Sequence, residues 1–110
     1  MSEEEIRDAA REYARKIMET DTYRKYCYER ERIKKQPDLY EKVNQYRERT
    51  FELQNYTDKD QLFDKLDEYE REYEKFRENP VVEGFLSAEL GFCRMMQELN
   101  DLILGHLDFE

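Results

Sequence analysis

Few residues in this chain combine the chemistry and the spacing of a catalytic site. A nucleophilic catalyst needs a nucleophile, a base and an orienting acid close together, and the single histidine, His106, stands at the end of an apolar segment. We interpret His106 as a residue that caps a helix end, where positive charge is favourable. Carboxylates are numerous, but in DKDQLFDKLDEYEREYEKFRE they alternate with lysine and arginine, which is typical of a solvated helix face. We therefore expect no enzymatic activity and no cofactor.

The two cysteines are separated by 65 intervening residues and form no closely spaced pair. Two copies of the chain would bring four thiols, which formally suffice for an iron–sulfur cluster. A metal- or cluster-binding redox sensor that uses Cys27 and Cys93 is therefore one alternative function. Because an isolated buried cysteine is commonly just a small apolar residue, we interpret both as structural thiols and predict no metal site.

One segment, TYRKYCYERERIKK, interleaves tyrosines with six basic residues. Aromatic and basic side chains together can stack bases and neutralise phosphates, so RNA binding through Arg24–Lys35 is a second alternative. Glu29 and Glu31 lie within the segment, and the chain has a net charge of −9, which repels phosphate backbones. A solvated helix face, or a docking patch for an acidic partner, explains the segment better, and we do not expect nucleic acid as a partner.

The composition favours long helices over sheets. Of the 110 residues 43% are charged, and the chain has only three Gly and two Pro, whereas sheets need frequent turn residues. Abundant Glu, Lys, Arg and Leu are typical of long helices. We predict an all-α fold of about four long antiparallel helices, within a single domain that spans residues 1–110.

Capping residues and prolines mark the predicted helix boundaries. Ser2, with a glutamate three residues on, is a capping box that opens the first helix, and this helix can continue with a kink near Thr20. Pro37 fits the first position of the second helix, and Thr57 fits the N-cap of the third. Asn79-Pro80 separates the third helix from the last one, because the residue before a proline avoids the helical conformation.

Apolar residues recur with helical spacing along the predicted helices. The stripes are Ile6, Ala10, Tyr13 and Ile17 in the first helix; Tyr40, Val43, Tyr46 or Arg47, Thr50 and Leu53 in the second; and Leu62, Leu66, Tyr69, Tyr73 and Phe76 in the third. The last of these is the clearest heptad pattern in the chain. Each helix is therefore expected to bury one face.

The final helix is apolar over a wider arc than the others. With residues placed 100° apart, its apolar arc is roughly 200° wide, against about 100° for a helix that packs on one side. A second copy of the chain is a natural source of the extra cover, so we predict a homodimer whose bundle is completed by this helix. The predicted interface consists of Phe85, Ala88, Phe92, Met96, Leu99, Asn100 and Ile103, with polar Asn100 fixing the register. A central helix within a monomeric bundle is the alternative.

The start of the chain shows no targeting signal. The residues SEEEIRD after Met1 have neither the basic nor the apolar region of a secretory signal. No apolar run approaches the roughly 20 residues of a transmembrane helix. We expect a cytoplasmic protein with reduced thiols and without membrane insertion.

The segment NPVVEGFLSAELGFCRMMQELNDLILGHLDFE resembles the C-terminal part of the YlbF/YmcA family of small helical bacterial proteins. The positions that carry the similarity are Asn79-Pro80-Val81-Val82, Phe85-Leu86, Ala88-Glu89, Cys93-Arg94, Met96-Gln97-Glu98, Asn100 and Ile103. The resemblance covers roughly 30 residues, and the preceding helices are compatible with it in length and pattern.

This resemblance implies an all-α, commonly dimeric protein without enzymatic activity. Members are similar to adaptors or regulators that act with other proteins on competence, sporulation and biofilm formation, and that modulate ribonuclease Y in RNA maturation. Some members carry an iron–sulfur cluster through additional cysteines in a C-terminal extension. The present sequence ends at Glu110 without such cysteines, so the resemblance does not extend to the cluster, and the partner of this chain can differ.

Overall fold

The computed structural model describes residues 1–55 and 59–107, except for the side chains of Gln54 and of residues 59–63. Five helices occupy these residues: α1 (Glu3–Met18), α2 (Asp21–Lys34), α3 (Pro37–Gln54), α4 (Lys59–Glu78) and α5 (Pro80–Gly105). The described part of the chain contains no strand, and the predicted all-α class is confirmed.

Ser2 caps α1 as the sequence suggests, and Asn79, which was predicted only as a break between helices, caps α5. The backbone N–H of Glu5 donates to the hydroxyl of Ser2 at 3.2 Å, and the N–H of Val81 donates to the Asn79 side-chain oxygen at 2.9 Å. α3 begins at Pro37 and α5 begins at Pro80, as expected for a residue whose missing N–H has no helical partner at the first position. The predicted cap Thr57 lies outside the described residues.

The predicted number of about four helices is corrected to five, because the structure divides the first predicted helix into α1 and α2. Its break lies at Glu19–Thr20, where the Thr20 hydroxyl accepts from the backbone N–H of Tyr23 at 3.1 Å and donates to the carbonyl of Ile17 at 2.6 Å. One hydroxyl therefore satisfies a free donor at the start of α2 and a free acceptor at the end of α1. Thr20 forms a capped corner rather than a kink within one helix.

The first core cluster joins α2, α3 and α5. Ile33, Val43, Val82 and Phe85 are its fully buried members. The start of α2 lies beside the middle of α5, where the rings of Tyr23 and Phe92 are 5.5 Å apart, and the end of α2 lies beside the first turns of α5. The two helices are therefore antiparallel.

The second core cluster joins α3 to α4 and consists largely of tyrosines. Leu53, Tyr69 and Tyr73 are buried, with Tyr46 packed against them, as the stripes of these helices predict. The hydroxyls of Thr50 and Tyr69 are hydrogen-bonded to each other. Burial raises the pKa of Tyr69 well above its usual value, and burial together with the charge of Glu72 raises that of Tyr73.

Two segments project from this core. The Cα radius of gyration is 18.5 Å, against about 13 Å for a compact domain of this length. α1 contains no buried residue, and the buried residues of α5 all lie in its first nine positions. We call Glu3–Met18 the α1 arm, residues 93–105 the α5 arm, and α2, α3, α4 with residues 80–92 the body.

Candidate interaction surface

The α5 arm exposes a stripe of apolar side chains. Met95, Met96 and Leu99 are partly exposed, while Leu102 and Ile103 are 55% and 45% exposed. Met96, Leu99 and Ile103 continue the face on which Phe85 and Phe92 contact α2, and Met95 and Leu102 lie beside that face. Large apolar side chains grouped in this way, rather than scattered singly, are typical of an interaction site.

The body and the α5 arm divide the predicted interface residues between them. Phe85 is 1% and Ala88 is 4% exposed, so both are covered by other helices of the same chain. Phe92 stacks on Tyr26 with ring centroids 5.1 Å apart, and also contacts Tyr23. The remaining predicted interface residues lie on the α5 arm: Met96 and Leu99 are partly exposed, and Asn100 and Ile103 are exposed. Self-association through these four residues stays a prediction.

Gly84 allows α2 to approach α5 closely. A Cβ placed on Gly84 would lie 2.7 Å from a carboxylate oxygen of Glu29, which is buried and is 3.3 Å from Arg32. Gly91, two turns further on, has no atom within 4 Å of such a Cβ among the residues that the structure describes. The small residues of α5 therefore serve a contact inside the chain at one end and face open space at the other.

An ion pair between α3 and α5 was not predicted from the sequence. The guanidinium of Arg47 donates to the carboxylate of Glu89 and lies 5.2 Å from the centroid of the Phe85 ring. Glu89 is conspicuous in the sequence as a charge at the edge of an apolar arc. Its partner depends on how α3 and α5 are rotated against each other, which periodicity does not reveal.

Cys27 and Cys93 are both free thiols, Cys27 partly buried on α2 and Cys93 exposed on the α5 arm. Arg30 donates to the Cys27 sulfur at 3.9 Å. The hydrogen bond between Tyr23 and Cys27 raises the pKa of the Tyr23 hydroxyl. Within residues 1–55 and 59–107 no group of three or more His, Cys, Asp or Glu side chains is arranged to hold a metal ion.

The basic segment of α2 is split between two faces. Arg32 pairs with the buried Glu29, and the guanidinium carbon of Arg30 lies 5.3 Å from the centroid of the Tyr26 ring. Four other basic residues are exposed, namely Arg24, Lys25, Lys34 and Lys35. Two of the six basic side chains thus interact with other side chains of α2.

The sequence matches a protein family over nearly its whole length. A model of the family described as control of competence regulator ComK, YlbF/YmcA, matches residues 6–108. The chain belongs to the YlbF/YmcA family. The match runs from the α1 arm to the end of the α5 arm, so it confirms the resemblance noted in the C-terminal segment and extends it over the preceding helices.

Two bacterial relatives cover nearly the same length. A UPF0342 protein of Caldicellulosiruptor bescii is 23% identical over 107 residues, which are 96% of this chain and 90% of the relative. A UPF0342 protein of Desulfitobacterium hafniense is 29% identical over 104 residues, 89% of this chain and 81% of the relative. No solved structure matches the chain significantly.

The family description concerns regulation rather than a reaction. None of the described helices is both long enough and apolar enough to cross a membrane. His106, the histidine of the sequence, is the C-cap residue of α5, in the position interpreted from the sequence. An exposed apolar surface on a family of regulators directs attention to contacts with other proteins.

Proposed function

We propose that this protein is a non-catalytic regulatory adaptor of the cytoplasm that acts by binding other proteins, beginning with a second copy of itself. The observation that carries the proposal is the exposed apolar stripe of the α5 arm, from Met95 to Ile103. Removing such a stripe from water is worth roughly 25 cal/mol for each Å² buried, and the body of the same chain does not cover it.

The charged surface supports selection of partners. The net charge is −9, and the outer faces of α3 and α4 are dense in carboxylates and basic side chains, while α2 exposes Arg24, Lys25, Lys34 and Lys35. Charges at the rim of an interface change association rates and exclude wrong partners more than they add affinity. An apolar contact surface flanked by such faces suits an adaptor.

Light scattering coupled to size-exclusion chromatography tests self-association. We expect the wild type to elute as a dimer and Ile103→Glu to elute as a monomer, because a carboxylate in the stripe cannot be buried without a large desolvation cost. Ile103 is preferable to Phe92, since Phe92 also stacks on Tyr26 in the body. Gln97→Glu, an exposed position on the opposite face of α5, is the matched control and should leave the dimer intact. A monomeric wild type would refute self-association.

The regulatory role is tested with the partner that the family resemblance suggests. We propose that the dimer binds ribonuclease Y of the same organism, directly or with other family members, and that through it the protein influences competence, sporulation or biofilm formation. Isothermal titration of purified ribonuclease Y with wild type should show saturable binding that Ile103→Glu weakens and Gln97→Glu retains. Absence of binding, alone and with the organism's other family members present, would reject ribonuclease Y as the partner.

A further inference from the structure

The apolar face of α5 that α2 covers continues beyond Asp21, the first residue of α2. α2 begins at Asp21, opposite Phe92, and α5 runs on to Gly105, which is roughly 20 Å further at 1.5 Å per residue. Over that length the apolar stripe persists, but no described helix lies on it in the way that α2 lies on residues 82–92. The α5 arm thus offers one vacant helix position.

The α1 arm has a stripe that fits such a position. Ile6, Ala10, Tyr13 and Ile17 recur at intervals of four, three and four residues, and therefore share one face. Ile6 is 56% exposed, and no residue of α1 is buried. The 16 residues of α1 span roughly 24 Å, which is long enough to cover the α5 arm completely.

The corner at Thr20 keeps α1 away from the α5 arm of its own chain. If α1 and α2 were one straight helix, α1 would continue along α5 and cover the vacant position itself. The two hydrogen bonds of the Thr20 hydroxyl, to Tyr23 and Ile17, stabilise the corner instead. As a result α1 has contacts with α2 near the corner and no substantial contact with α5.

One charged residue beside each stripe has no partner within the part of the chain that the structure describes. Glu98 is exposed on the α5 arm beside Leu102, at the edge of the apolar arc, and it forms no ion pair with a residue that the structure describes. Lys16 is exposed at the edge of the α1 stripe and likewise has no acidic partner within the described ranges. An α1 arm that lies on an α5 arm can bring Lys16 towards Glu98, and this pair of opposite charges would lie at the rim of the contact. Because the α1 arm also carries glutamates beside its stripe, the position and length of the two stripes indicate the pairing more than their charge does.

We propose that two copies of this chain exchange arms, so that the α1 arm of each copy lies on the α5 arm of the other. In a two-fold dimer the same contact forms twice, and both exposed stripes of both copies become buried. The inference rests on the self-association proposed above and specifies the helices that form it.

Cross-linking identifies the paired helices. Two chains are co-expressed with tags of different size, both in a Cys27→Ser, Cys93→Ser background; one carries Tyr13→Cys in the α1 arm and the other carries Leu99→Cys in the α5 arm. A short bis-maleimide should join the two different chains, and neither variant expressed alone should form a linked pair. Circular dichroism of each variant checks that its helices are retained.

The other outcomes each reject the exchange. Linkage of the Leu99→Cys chain to itself would show that α5 arms pair with each other, and linkage of Tyr13→Cys to itself would show the same for α1 arms. If the wild type is a dimer by light scattering but only these products form, self-association stands and the exchange of arms does not. If a single chain carrying both Tyr13→Cys and Leu99→Cys links only within itself, α1 folds onto its own chain and the exchange is wrong.

A charge reversal gives an independent measurement. Lys16→Glu and Glu98→Lys should each raise the dimer dissociation constant severalfold, because each places like charges at the rim. The chain that carries both changes should return to within about twofold of the wild type, since the pair is restored with reversed polarity. Additive weakening in the double variant would contradict the proposed contact. Ile17→Glu should raise the constant about tenfold or more, while Met18→Glu, off the stripe, should have a smaller effect.

Discussion

The body and the arms of this protein carry the same kind of amphipathic stripe, but only the stripes of the body are covered within the chain. Phe85 is 1% exposed and Ile103, five turns further along the same helix, is 45% exposed. Both occupy the same face of α5, so the pattern of apolar residues cannot distinguish them. The difference shows that an apolar stripe predicts contact with a partner helix but does not specify whether that helix belongs to the same chain.

The largest expected effect is on the free energy of unfolding, which a substitution in the body should lower far more than a substitution in the α5 arm. Phe85→Ala should lower the free energy of unfolding by about 3–5 kcal/mol, as for other buried phenylalanines, whereas Ile103→Ala should change it by less than about 0.5 kcal/mol. Urea denaturation followed by circular dichroism measures both, at a dilution where the chain is monomeric so that assembly does not contribute. Equal losses in the two variants would mean that the α5 arm is part of the core.

Alkaline pH should destabilise the tyrosine-rich part of the body. The pKa values of Tyr69 and Tyr73 are raised in the folded chain, while in the unfolded chain these hydroxyls titrate near their usual value of about 10. The folded state therefore holds these protons more tightly, so its stability is full below about pH 10 and falls as the pH rises further. Urea unfolding at about pH 8 and about pH 10.5 measures the loss.

Substitutions locate the source of that loss. Tyr69→Phe removes one buried hydroxyl that ionises and should reduce the alkaline loss. The Thr50 hydroxyl then loses its hydrogen bond to Tyr69 but still donates to the carbonyl of Tyr46. Tyr28→Phe removes a hydroxyl from a 65% exposed side chain and is the matched control. An undiminished loss in Tyr69→Phe would assign the pH dependence to other groups.

The ion pair between Arg47 and Glu89 should be stronger than the pairs on the α1 arm. Arg47 and Glu89 are partly buried, and a double-mutant cycle with Arg47→Met and Glu89→Gln should give a coupling of about 0.5–1 kcal/mol. Arg15 and Glu12 are 2.8 Å apart on the α1 arm but well exposed, and their coupling should be about 0.3 kcal/mol. A larger coupling on the arm would contradict the difference in burial.

Two glycines of α5 should give effects of the same size as the coupling between Arg47 and Glu89. Gly91→Ala should stabilise the chain by about 0.5–1 kcal/mol, because alanine favours helix and the site is open. At Gly84 the same gain should be offset, since the new methyl group requires the Glu29 carboxylate to shift. Thermal unfolding of both variants measures the difference, and an equal gain at both positions would show that Glu29 moves without cost.

Features that depend on residues close in sequence were predictable, and features that depend on how the helices are rotated against each other were not. Ser2 and Pro37 mark helix starts, and Asn79-Pro80 marks a break between two helices, because caps and prolines act on residues close in sequence. The burial of Glu29 beside Gly84 and the pairing of Arg47 with Glu89 depend on which faces of distant helices meet. The sequence indicates a kink near Thr20, but the periodic apolar residues on both sides favour one kinked helix over two.

The same limit applies to the candidate interaction surface. The width of the apolar arc of α5 predicted that one partner helix is too few, and the chain supplies α2 for only part of its length. Phe85 and Ala88 were assigned to an interface together with Ile103 because all are apolar or small and adjacent in projection. Phe85 is covered by α2 and α3 together, whereas Ile103 lies beyond Asp21, the first residue of α2.

The absence of any buried residue in α1 affects how fast its backbone amide hydrogens exchange with solvent. An isolated helix of this length is marginal in water, and exposed pairs such as Arg11–Asp8 add only a few tenths of a kcal/mol each. The amide hydrogens of α1 should therefore exchange with solvent within seconds in the free chain, while those of α2 remain protected. Covering α1 by association would slow its exchange in proportion to protein concentration, so the abundance of the protein in its cell would determine how much of the first helix is folded.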